Sequence, residues 1–411
     1  MKLRSVRGTH DLFGDEINKF NNIYQIVSKV AHLNKFLEIE TPIFEFTELF
    51  SKPLGEMSDV VLKEMYTFKD RNEDQLTLRP EYTTPMIRAA ISNNLLNELP
   101  LKLYGLGPVF RRERPQKGRY RQFNQINFEI FGSNDSIADL EIISIANKIL
   151  KSLIPESNFT LNINSLGRRE NLVKYKKDLS KYFNDKKMQL SEESIFKIDS
   201  NPLRILDSKQ QNDIEISNNA PPITEYLSNN AKVKFEELKQ GLTSNKISYI
   251  ENLKLVRGLD YYCDTVFEFK TQDLGSQDTI LGGGRYDGLI SKLGGPDIPG
   301  IGWAAGIERI SMLMKKIKIN EKHVHIAIND ESFKSHLIKI IKYFNDNEII
   351  FFWNYKYNLK KSLSRANSNN ANYVIIIGEK EYKKNFYTIK NLITGEQSEL
   401  SIDKIKKFLN D

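Results

Sequence analysis

The sequence predicts an α+β fold with an antiparallel sheet flanked by helices, a helical insertion, and a separate α/β domain at the C-terminus. Strand-like runs joined by turn-rich connections fill the first part of the chain and indicate the antiparallel sheet. A polar stretch rich in Lys, Asn, Asp and Ser indicates the insertion, and alternating strands and helices near the C-terminus indicate the α/β domain. Because 411 residues exceed one ordinary core, we expect two or three domains.

The first predicted element is a helix over residues 16–36, followed by a strand that Pro42 interrupts. A proline there belongs at a sheet edge or a subunit boundary, because it cannot donate to a strand ladder. Segments 76–80, 101–113 and 122–132 also read as strands of the sheet. The helix should bury the apolar residues spaced by three and four, Ile17, Phe20, Tyr24, Val27 and Ala31.

The second half of the chain carries the insertion and the predicted C-terminal domain. The insertion covers about residues 168–250, between the strand-like runs LNINSL and ISYIENL, and the strand pattern resumes at Lys254. GGGRYDG follows, and then GIGWAAGIERISMLM, whose apolar spacing suits a helix after the glycines. Apolar strands VHIAI, EIIFFW and YVIIIG predict an α/β domain over residues 321–411, which leaves residues 1–320 to the first domain.

Cysteine and histidine usage argues against a protein-bound metal. A single cysteine, Cys263, excludes an intramolecular disulfide and any cysteine-clustered zinc site. His323 and His325 share one face of a predicted strand, but no carboxylate or cysteine lies near them in sequence. We interpret them as two surface or strand-edge histidines and assign no metal to protein side chains.

Targeting signals and membrane spans are not evident in the sequence. The N-terminus MKLRSVRGTHDLFGDE is charged and has no continuous apolar segment, and the longest apolar runs have the length of strands. We therefore expect a cytoplasmic protein without a membrane partner.

Net charge is concentrated at the C-terminus. The chain carries +7, and residues 322–411 hold 15 Lys plus Arg against 10 Asp plus Glu, or +5 of that total. A basic unit is typical of a domain that meets phosphates, although a solvated lysine-rich face gives the same count.

The segment FNQINFEIFG is the most informative strand. Alternation places Ile126, Phe128 and Ile130 on one face and Gln125, Asn127 and Glu129 on the other. Taken alone, a solvated outer face is the favoured interpretation of the polar side. In the preceding strand, however, Arg111 and Glu113 are expected on one face, so the two strands together suggest a polar ligand.

The loop RPQKGRYRQ between these strands is basic. Its arginines could fold over a triphosphate or the end of an RNA strand, because guanidinium groups match phosphate oxygens, although nonspecific charge is the alternative. The sequence has no phosphate-binding P-loop motif, and GIGWAAG lacks the spacing of a dinucleotide fingerprint. The loop residues of interest are Arg114, Lys117, Gly118, Arg119, Tyr120 and Arg121.

Together these segments resemble the class II aminoacyl-tRNA synthetases, and the histidyl family in particular, over nearly the whole chain. FRRERPQKGRYRQF and GIGWAAGIERI resemble the second and third class II signatures, and the segment around Pro42 lies where the weaker first signature forms a dimer interface. RGLDYY and GGGRYDGL resemble motifs peculiar to histidyl enzymes, and LRPEYT, INSLG and NPLRILDSK are similar to other family segments. The C-terminal unit resembles an anticodon-binding domain, after a class II catalytic domain.

The resemblance implies ATP-dependent ligation of L-histidine to its tRNA through a histidyl-adenylate, with release of pyrophosphate and AMP. It implies that Arg111, Arg257 and Arg309 are catalytic, at the α-phosphate and the γ-phosphate of ATP. Magnesium would enter bound to ATP, and the protein would be a homodimer. The residues implied for ATP are Arg111, Glu113, Arg119, Tyr120, Phe123 and Arg309, with Glu113 at the adenine amino group and Phe123 stacked on the ring.

For histidine, the resemblance implies recognition at both ends of the amino acid. Glu81, Thr83 and Gln125 match positions that hold the α-amino group, and Glu129 and Tyr262 match positions that read the imidazole. Such polar recognition can discriminate by about 10⁴ or more without editing. Tyr82, Arg111, Arg257 and Tyr261 complete the set.

Four residues depart from the family pattern. Tyr82 stands where glycine is usual, Arg112 and Asn124 where histidine is usual, and Asn127 where a small residue is common. Tyr82 matters most because it lies between two residues expected to hold the amino group. The alternative is that its side chain points away from the ligand, as the side chains of neighbouring residues on a strand do.

The main alternative is a catalytically silent paralogue that senses histidine and regulates a phosphoribosyltransferase of histidine biosynthesis. Such paralogues typically lose the cationic site residues and the C-terminal domain, whereas Arg111, Glu113, Arg257 and Arg309 are present here. A synthetase for proline, threonine or glycine would leave RGLDYY and GGGRYDGL unexplained. A purely structural α/β protein would leave all the motifs unexplained.

Overall fold

The computed structural model describes the chain in two compact units, Met1–Ile317 and Lys318–Asp411. The strands form an eight-stranded sheet, a three-stranded sheet and a five-stranded sheet. No helix within the described parts is long and apolar enough to cross a membrane. The described residues are 3–51, 53, 60–275, 278–317 and 322–410.

The first unit begins with a long helix that packs on the large sheet. Its buried residues include Phe20 and Val27, as predicted, but Ile23 and Val30 complete the buried face, and the predicted Tyr24 is 36% exposed. Up to the insertion the elements are α1 (Asp15–Leu33), β1 (Leu37–Glu38), β2 (Phe44–Phe46), α2 (Glu48–Ser51), β3 (Tyr66–Lys69), β4 (Gln75–Leu78), α3 (Thr83–Ser92), β5 (Leu101–Phe110), β6 (Gln122–Phe131), α4 (Ser136–Leu153) and β7 (Thr160–Ser165).

The insertion is helical, and the sheet resumes after it. The strand pattern predicted from Lys254 begins only at Cys263, so RGLDYY lies in the connection before the strand. The elements are α5 (Arg169–Asp185), α6 (Glu192–Ser200), α7 (Leu203–Leu206), α8 (Gln211–Asn218), α9 (Asn229–Ser244), β8 (Tyr249–Glu251), β9 (Cys263–Lys270), β10 (Thr279–Arg285), α10 (Leu289–Lys292), β11 (Gly300–Gly306) and α11 (Ile307–Leu313).

The eight-stranded sheet has the order β1-β5-β6-β11-β10-β9-β7-β8. Its central pairs are antiparallel, as predicted, but β1 pairs with β5 and β7 pairs with β8 in parallel. Each parallel pair is joined by a long crossover, which for β7 and β8 is the helical insertion itself. The sheet is therefore mixed at its edges, and its antiparallel centre confirms the predicted antiparallel sheet. Pro42 follows the edge strand β1, as its residue type predicts.

One face of this sheet builds the main hydrophobic core. Ile126, Phe128 and Ile130 of β6 pack there, and the Phe128 and Trp303 rings stack with centroids 4.8 Å apart. Residues from α1, α4 and α11 cover this face. The opposite face of β6 is therefore left for Gln125, Asn127 and Glu129, which places the predicted ligand side away from the core.

The second unit has a five-stranded sheet with the order β13-β12-β14-β15-β16. Because β12 has neighbours on both sides, His325 is fully buried, and the prediction of surface or strand-edge histidines was wrong for it. His323 precedes the strand and is half-buried. The elements are β12 (Val324–Ile328), α12 (Lys334–Asp346), β13 (Phe351–Tyr357), α13 (Leu359–Ser368), β14 (Tyr373–Ile377), α14 (Glu379–Lys384), β15 (Tyr387–Asn391), β16 (Gln397–Leu400) and α15 (Ile405–Asn410).

Candidate active site

A cavity of about 920 Å³, including its open mouth, lies against the polar face of the large sheet. Concave sites with a few convergent polar groups are the usual places for small-molecule ligands. Its wall comes from the start of α3, the β5–β6 loop, the segment before β9, the strands β6, β10 and β11, and the start of α11. Predicted site residues in the wall are Glu81, Thr83, Arg111, Glu113, Arg119, Tyr120, Phe123, Gln125, Arg257, Tyr261, Tyr262 and Arg309.

Glu81 is fixed at one end of the cavity by the N-terminus of α3. Its carboxylate accepts hydrogen bonds from the backbone N–H groups of Thr83 and Thr84, both at 2.8 Å, and from the Thr84 hydroxyl. A helix N-terminus favours a carboxylate in this position because its N–H groups lack partners within the helix. Glu81 thus presents a negative charge that suits an ammonium group.

Gln125 projects from β6 into the same cavity. Its side-chain oxygen is buried and has no hydrogen-bond partner among the described residues. A buried acceptor without a partner costs about 1–3 kcal/mol, so a ligand that donates to it is favoured. The favoured interpretation of β6 alone, a solvated outer face, was wrong, since Gln125, Asn127 and Glu129 are all buried.

Glu129 lies behind the cavity wall rather than in it. It accepts hydrogen bonds from the Thr83 hydroxyl at 2.7 Å and from the Tyr286 hydroxyl. Burial raises the pKa of Glu129 to about 8, against the opposing effect of these two donors. The carboxyl is therefore largely protonated at neutral pH. Thr83 connects it to the cavity.

Three tyrosines gather beside this carboxyl. The ring centroids of Tyr261 and Tyr262 are 4.6 Å apart, and those of Tyr261 and Tyr286 are 5.8 Å apart. Tyr286 was absent from the predicted site, although GGGRYDGL was recognised as a family motif. The three glycines lie within β10, and Tyr286 directly follows the end of that strand, so its position in the motif could have pointed to it.

Three arginines lie close together in the cavity wall. Arg309 donates from Nε to Gly118 O at 3.1 Å and from Nη1 to Thr279 O at 2.7 Å. Burial and then the positive charges of Arg119 and Arg111 lower the pKa of Arg309. Like charges held together in a half-buried site favour a polyanion, which relieves their repulsion.

Arg111 and Phe123 lie side by side in this wall. Arg111 donates from Nε to Pro80 O at 2.8 Å, and its guanidinium lies 5.4 Å from the Phe123 ring centroid. β5 ends at Phe110, so Arg111 and Glu113 extend from the loop and not from a shared strand face as predicted. Both nevertheless reach the cavity.

Arg257 lies over Gly282 of β10. A Cβ on Gly282 would lie 2.7 Å from the guanidinium carbon, so a side chain at this position would displace the end of Arg257. Glu268 of β9 forms an ion pair with Arg257. Burial lowers the pKa of Arg257, but Glu268, Tyr262 and Tyr261 together more than offset this and the net shift is upward. The sequence alone did not indicate Glu268, because its contact with Arg257 depends on the pairing of β9 with β10.

The remaining residues of the loop between β5 and β6 either line the cavity or are exposed. Glu113 forms an ion pair with Arg119 at 2.6 Å, so these two predicted ATP contacts hold each other in this structure. The Tyr120 ring lies 4.5 Å from that of His10, in the N-terminal segment. Arg114 and Lys117 are exposed.

Glu308 is a second buried carboxyl that the sequence did not single out. Both its oxygens accept from the Asn124 backbone N–H, at 2.9 and 3.0 Å, and one accepts from the Asn124 side chain at 3.1 Å. Burial raises the pKa of Glu308 to about 7. Asn124, which departs from the family pattern, therefore has a defined contact next to Arg309.

Tyr82 does not line the cavity. Its buried ring lies on the opposite side, against Gly105 and Gly107 of β5. The Arg79 guanidinium stacks on it, 4.0 Å from the ring centroid. The expectation that Tyr82 contacts histidine therefore has no support in the geometry. Its neighbours Glu81 and Thr83 do reach the cavity.

Cys263, Asp264 and Asp287 form a group that could hold a metal ion within the described parts of the chain, with ligand atoms inside 4.8 Å of one another. Burial raises the pKa of the Cys263 thiol and of both carboxyls, which favours their protonated forms. Metal ligands must be deprotonated, so these groups fit an ion poorly. The assignment of no protein-bound metal stays a prediction.

Comparisons with known proteins cover the whole chain. The family model of histidyl-tRNA synthetase matches residues 8–310, and that of the anticodon binding domain matches residues 319–411. The histidine–tRNA ligase of Wolbachia pipientis from Culex pipiens is 44% identical over 404 residues, 98% of this chain and 99% of the relative. That of Ehrlichia ruminantium (strain Welgevonden) is 45% identical over 404 residues, 98% of this chain and 96% of the relative. A crystal structure of the apo S. aureus histidyl-tRNA synthetase matches with a TM-score of 0.82 at 29% identity, covering both chains completely. The chain therefore belongs to the histidyl-tRNA synthetase family.

Proposed function

We propose that this chain activates L-histidine with ATP and transfers the histidyl group to its tRNA. One observation carries the proposal: a single cavity is lined by Glu81 and the unpartnered Gln125 oxygen and also by Arg111 and Arg309. The first pair suits an ammonium group, and the second suits phosphates. An amino acid and ATP bound side by side would satisfy both pairs.

In the first step, a carboxylate oxygen of histidine attacks the α-phosphorus of ATP. The new O–P bond forms as the bond to the bridging oxygen breaks, and pyrophosphate leaves with the electron pair. Negative charge grows on the α-phosphate, where Arg111 and Arg257 would stabilise it. Arg309 would hold the γ-phosphate, and Phe123 and Glu113 the adenine. Glu113 must release Arg119 in part for this role, because the two form an ion pair.

Histidine selectivity would come from the phenol of Tyr262 in the cavity wall and from the carboxyl of Glu129, which lies behind the wall and is connected to the cavity through the Thr83 hydroxyl. An imidazole offers one donor and one acceptor nitrogen, which a carboxyl and a hydroxyl can match. An amino acid without these groups would leave buried polar groups unpaired, and that penalty supports discrimination without editing.

Magnesium would arrive with ATP rather than occupy a protein site. The three carboxylates in the cavity wall already have partners: Glu81 has Thr83 and Thr84, Glu113 has Arg119, and Glu308 has Asn124. Because Mg²⁺ in nucleotide sites is usually bound by phosphates, waters and one or two carboxylates, ATP phosphates can supply most of its ligands. The ion would neutralise phosphate charge.

In the second step, a hydroxyl of the terminal ribose attacks the carbonyl carbon of the adenylate, and AMP leaves. The C-terminal unit would bind the tRNA. Besides its +5 charge, it has a bulge in the edge strand β13, where Tyr355 is 80% exposed and its ring lies 4.8 Å from that of Trp353. Exposed aromatic rings beside lysines are suited to stacking with unpaired bases.

We further propose a homodimer and a cytoplasmic location. The small sheet β2-β4-β3 and the adjacent edge strand β1 expose large apolar side chains that a second copy would cover. Size-exclusion chromatography with light scattering tests this, and Phe46→Asp should yield a monomer. The exposed residues are Leu37, Phe44, Phe46 and Phe68.

The test of activity is histidine-dependent exchange of pyrophosphate into ATP, with proline, threonine and glycine as controls. Arg257→Ala should abolish exchange, whereas Arg114→Ala, an exposed arginine outside the cavity, should leave it near wild type. Exchange with histidine alone supports the ligase. If the protein binds histidine but shows no exchange with any amino acid, the histidine-sensing regulatory paralogue becomes the better explanation. Two observations argue against that paralogue now: the catalytic arginines are retained, and the anticodon binding domain is matched.

A further inference from the structure

Arg79 is a buried cation that joins three segments behind the proposed histidine site. It is 1% exposed, and its Nη1 donates to Thr41 O at 2.7 Å and to the Thr41 hydroxyl at 2.9 Å. Its Nε donates to Pro108 O at 2.8 Å. One guanidinium therefore links the segment after β1, the end of β4 and the end of β5. It is outside the cavity wall and has no part in the chemistry proposed above.

Tyr82 completes this arrangement as a stacking partner. The Arg79 guanidinium carbon lies 4.0 Å from its ring centroid, and the ring is fully buried. Two glycines of β5 make the space: a Cβ on Gly105 would lie 2.6 Å from Tyr82 Cε1, and a Cβ on Gly107 would lie 2.6 Å from Arg79 Nη2. The pair is thus fitted closely into the sheet, and the ring face rather than the hydroxyl makes the contact.

The backbone at Tyr82 controls what its neighbours present to the cavity. Glu81 and Thr83 flank it and line the wall, while its own ring points the other way. The Glu81 carboxylate is held by the N–H groups of Thr83 and Thr84, and the Thr83 hydroxyl donates to Glu129. A rotation of the chain at Tyr82 would therefore move the groups proposed for both the amino group and the imidazole.

We propose that Tyr82, held by Arg79, is a positioning residue for the histidine end of the active site. This rests on the proposed function and deepens it. The ATP end should be less affected, because Arg309 is held by Gly118 and Thr279 and not by this pair. Loss of the stacking contact should therefore weaken histidine binding and leave ATP binding nearly unchanged.

The test compares Tyr82→Ala with Tyr82→Phe in pyrophosphate exchange. Loss of a desolvated cation–π contact and of buried ring packing should raise the histidine KM about tenfold in Tyr82→Ala, with the ATP KM within about twofold of wild type. Tyr82→Phe keeps the ring and should restore the histidine KM. Phe183→Ala, which removes an equally buried ring from the insertion, controls for a general loss of stability and should leave both KM values unchanged.

Two results would overturn the proposal: parallel changes in both KM values, or an unchanged histidine KM in a Tyr82→Ala protein that only melts earlier. If Tyr82→Ala does not fold, as circular dichroism would show, Tyr82→Leu keeps much of the buried volume but removes the stack, and the same criteria apply. Calorimetric titration of histidine without ATP separates this proposal from the activity. If the wild type binds histidine but shows no exchange, the ligase proposal fails. A weaker histidine Kd in Tyr82→Ala would still support the positioning role, and an equal Kd would refute it.

Discussion

Gly302 makes room for the Glu129 carboxyl, and an added methyl group tests how tightly that space is filled. A Cβ there would lie within contact distance of Glu129 Oε2, 2.5 Å from its Cδ and 2.6 Å from Phe128 O. The Phe128 carbonyl belongs to β6, which pairs with β11 at this point, so it cannot retreat without disturbing the ladder. We therefore expect Gly302→Ala to displace Glu129 and break its hydrogen bonds with Thr83 and Tyr286.

The displacement should be large enough to measure in histidine binding. Each broken bond that leaves a buried group unsatisfied costs about 1–3 kcal/mol, and overpacking costs about 1–3 kcal/mol more. If about 2.8 kcal/mol of this total cost weakens the binding of histidine, the histidine KM rises about 100-fold. Pyrophosphate exchange at saturating ATP measures that KM, and thermal unfolding measures the loss of stability. Gly306→Ala on the same strand is the control, because its Cβ would meet nothing nearer than Arg309 Cγ at 3.9 Å. Wild-type KM and stability in Gly302→Ala would refute the reasoning.

Contacts elsewhere in the chain give three more expectations. Glu268→Gln removes the charge that orients Arg257, so the maximal exchange rate should fall about tenfold, while an unchanged rate would show that the pair is not needed. Asp213→Ala removes the acceptor for Ser191, Ser194 and Ser208 and should cost the insertion about 2–4 kcal/mol in urea unfolding; full stability would contradict this. Tyr355→Ala should raise the tRNA KM about tenfold without changing pyrophosphate exchange; an equal effect of Tyr382→Ala, another exposed tyrosine, would argue against specific stacking.

The alternation of apolar and polar residues in β6 was enough to predict which side chains face the core. It did not predict which segments cover the other face. Ile126, Phe128 and Ile130 lie in the core as predicted. The sequence could not decide whether Gln125 and Glu129 are solvated, because the segments that bury them come from far along the chain, before β9 and in β10 and β11. The family resemblance indicated that these segments form one site, because the motifs that the family shares lie in all of them.

Tyr82 shows where both pattern and resemblance were insufficient. The family position predicted a contact with histidine, whereas the side chain lies behind the pocket between Arg79 and two glycines of β5. Those glycines are remote in sequence, so nothing local indicates a space for an aromatic ring. For His325, the shared face with His323 did not reveal burial, because burial depends on β12 being an interior strand of its sheet. When parallel strands are joined by crossover connections, the sequence of one strand does not reveal whether it lies inside the sheet or at its edge.

Buried titratable groups give the two units opposite responses to pH. Burial raises the pKa of Glu129 from 4.5 to about 8, so between these values the unfolded chain loses a proton that the folded chain keeps. This contribution to stability therefore decreases as pH rises from 4.5 to about 8. Burial lowers the pKa of His325 from 6.5, and neither ring nitrogen has a partner among the described residues. Below pH 6.5 the unfolded chain takes up a proton that the folded chain resists, so this contribution decreases as pH falls.

The two tryptophans allow each response to be measured in the intact chain, because Trp303 lies in the first unit and Trp353 in the second. In Trp353→Phe the fluorescence of Trp303 reports the first unit, and in Trp303→Phe that of Trp353 reports the second. We expect Glu129→Gln to make the first unit lose less stability between about pH 5 and about pH 7.5, because glutamine does not titrate. His325→Leu should reduce the loss of stability of the second unit below pH 6.5, and the rest of the loss comes in part from His336, whose pKa burial also lowers. Each substitution should leave the pH slope reported by the other tryptophan unchanged. If both substitutions altered both slopes, the two units would unfold as one cooperative system, and the assignment of each change in slope to one unit would fail.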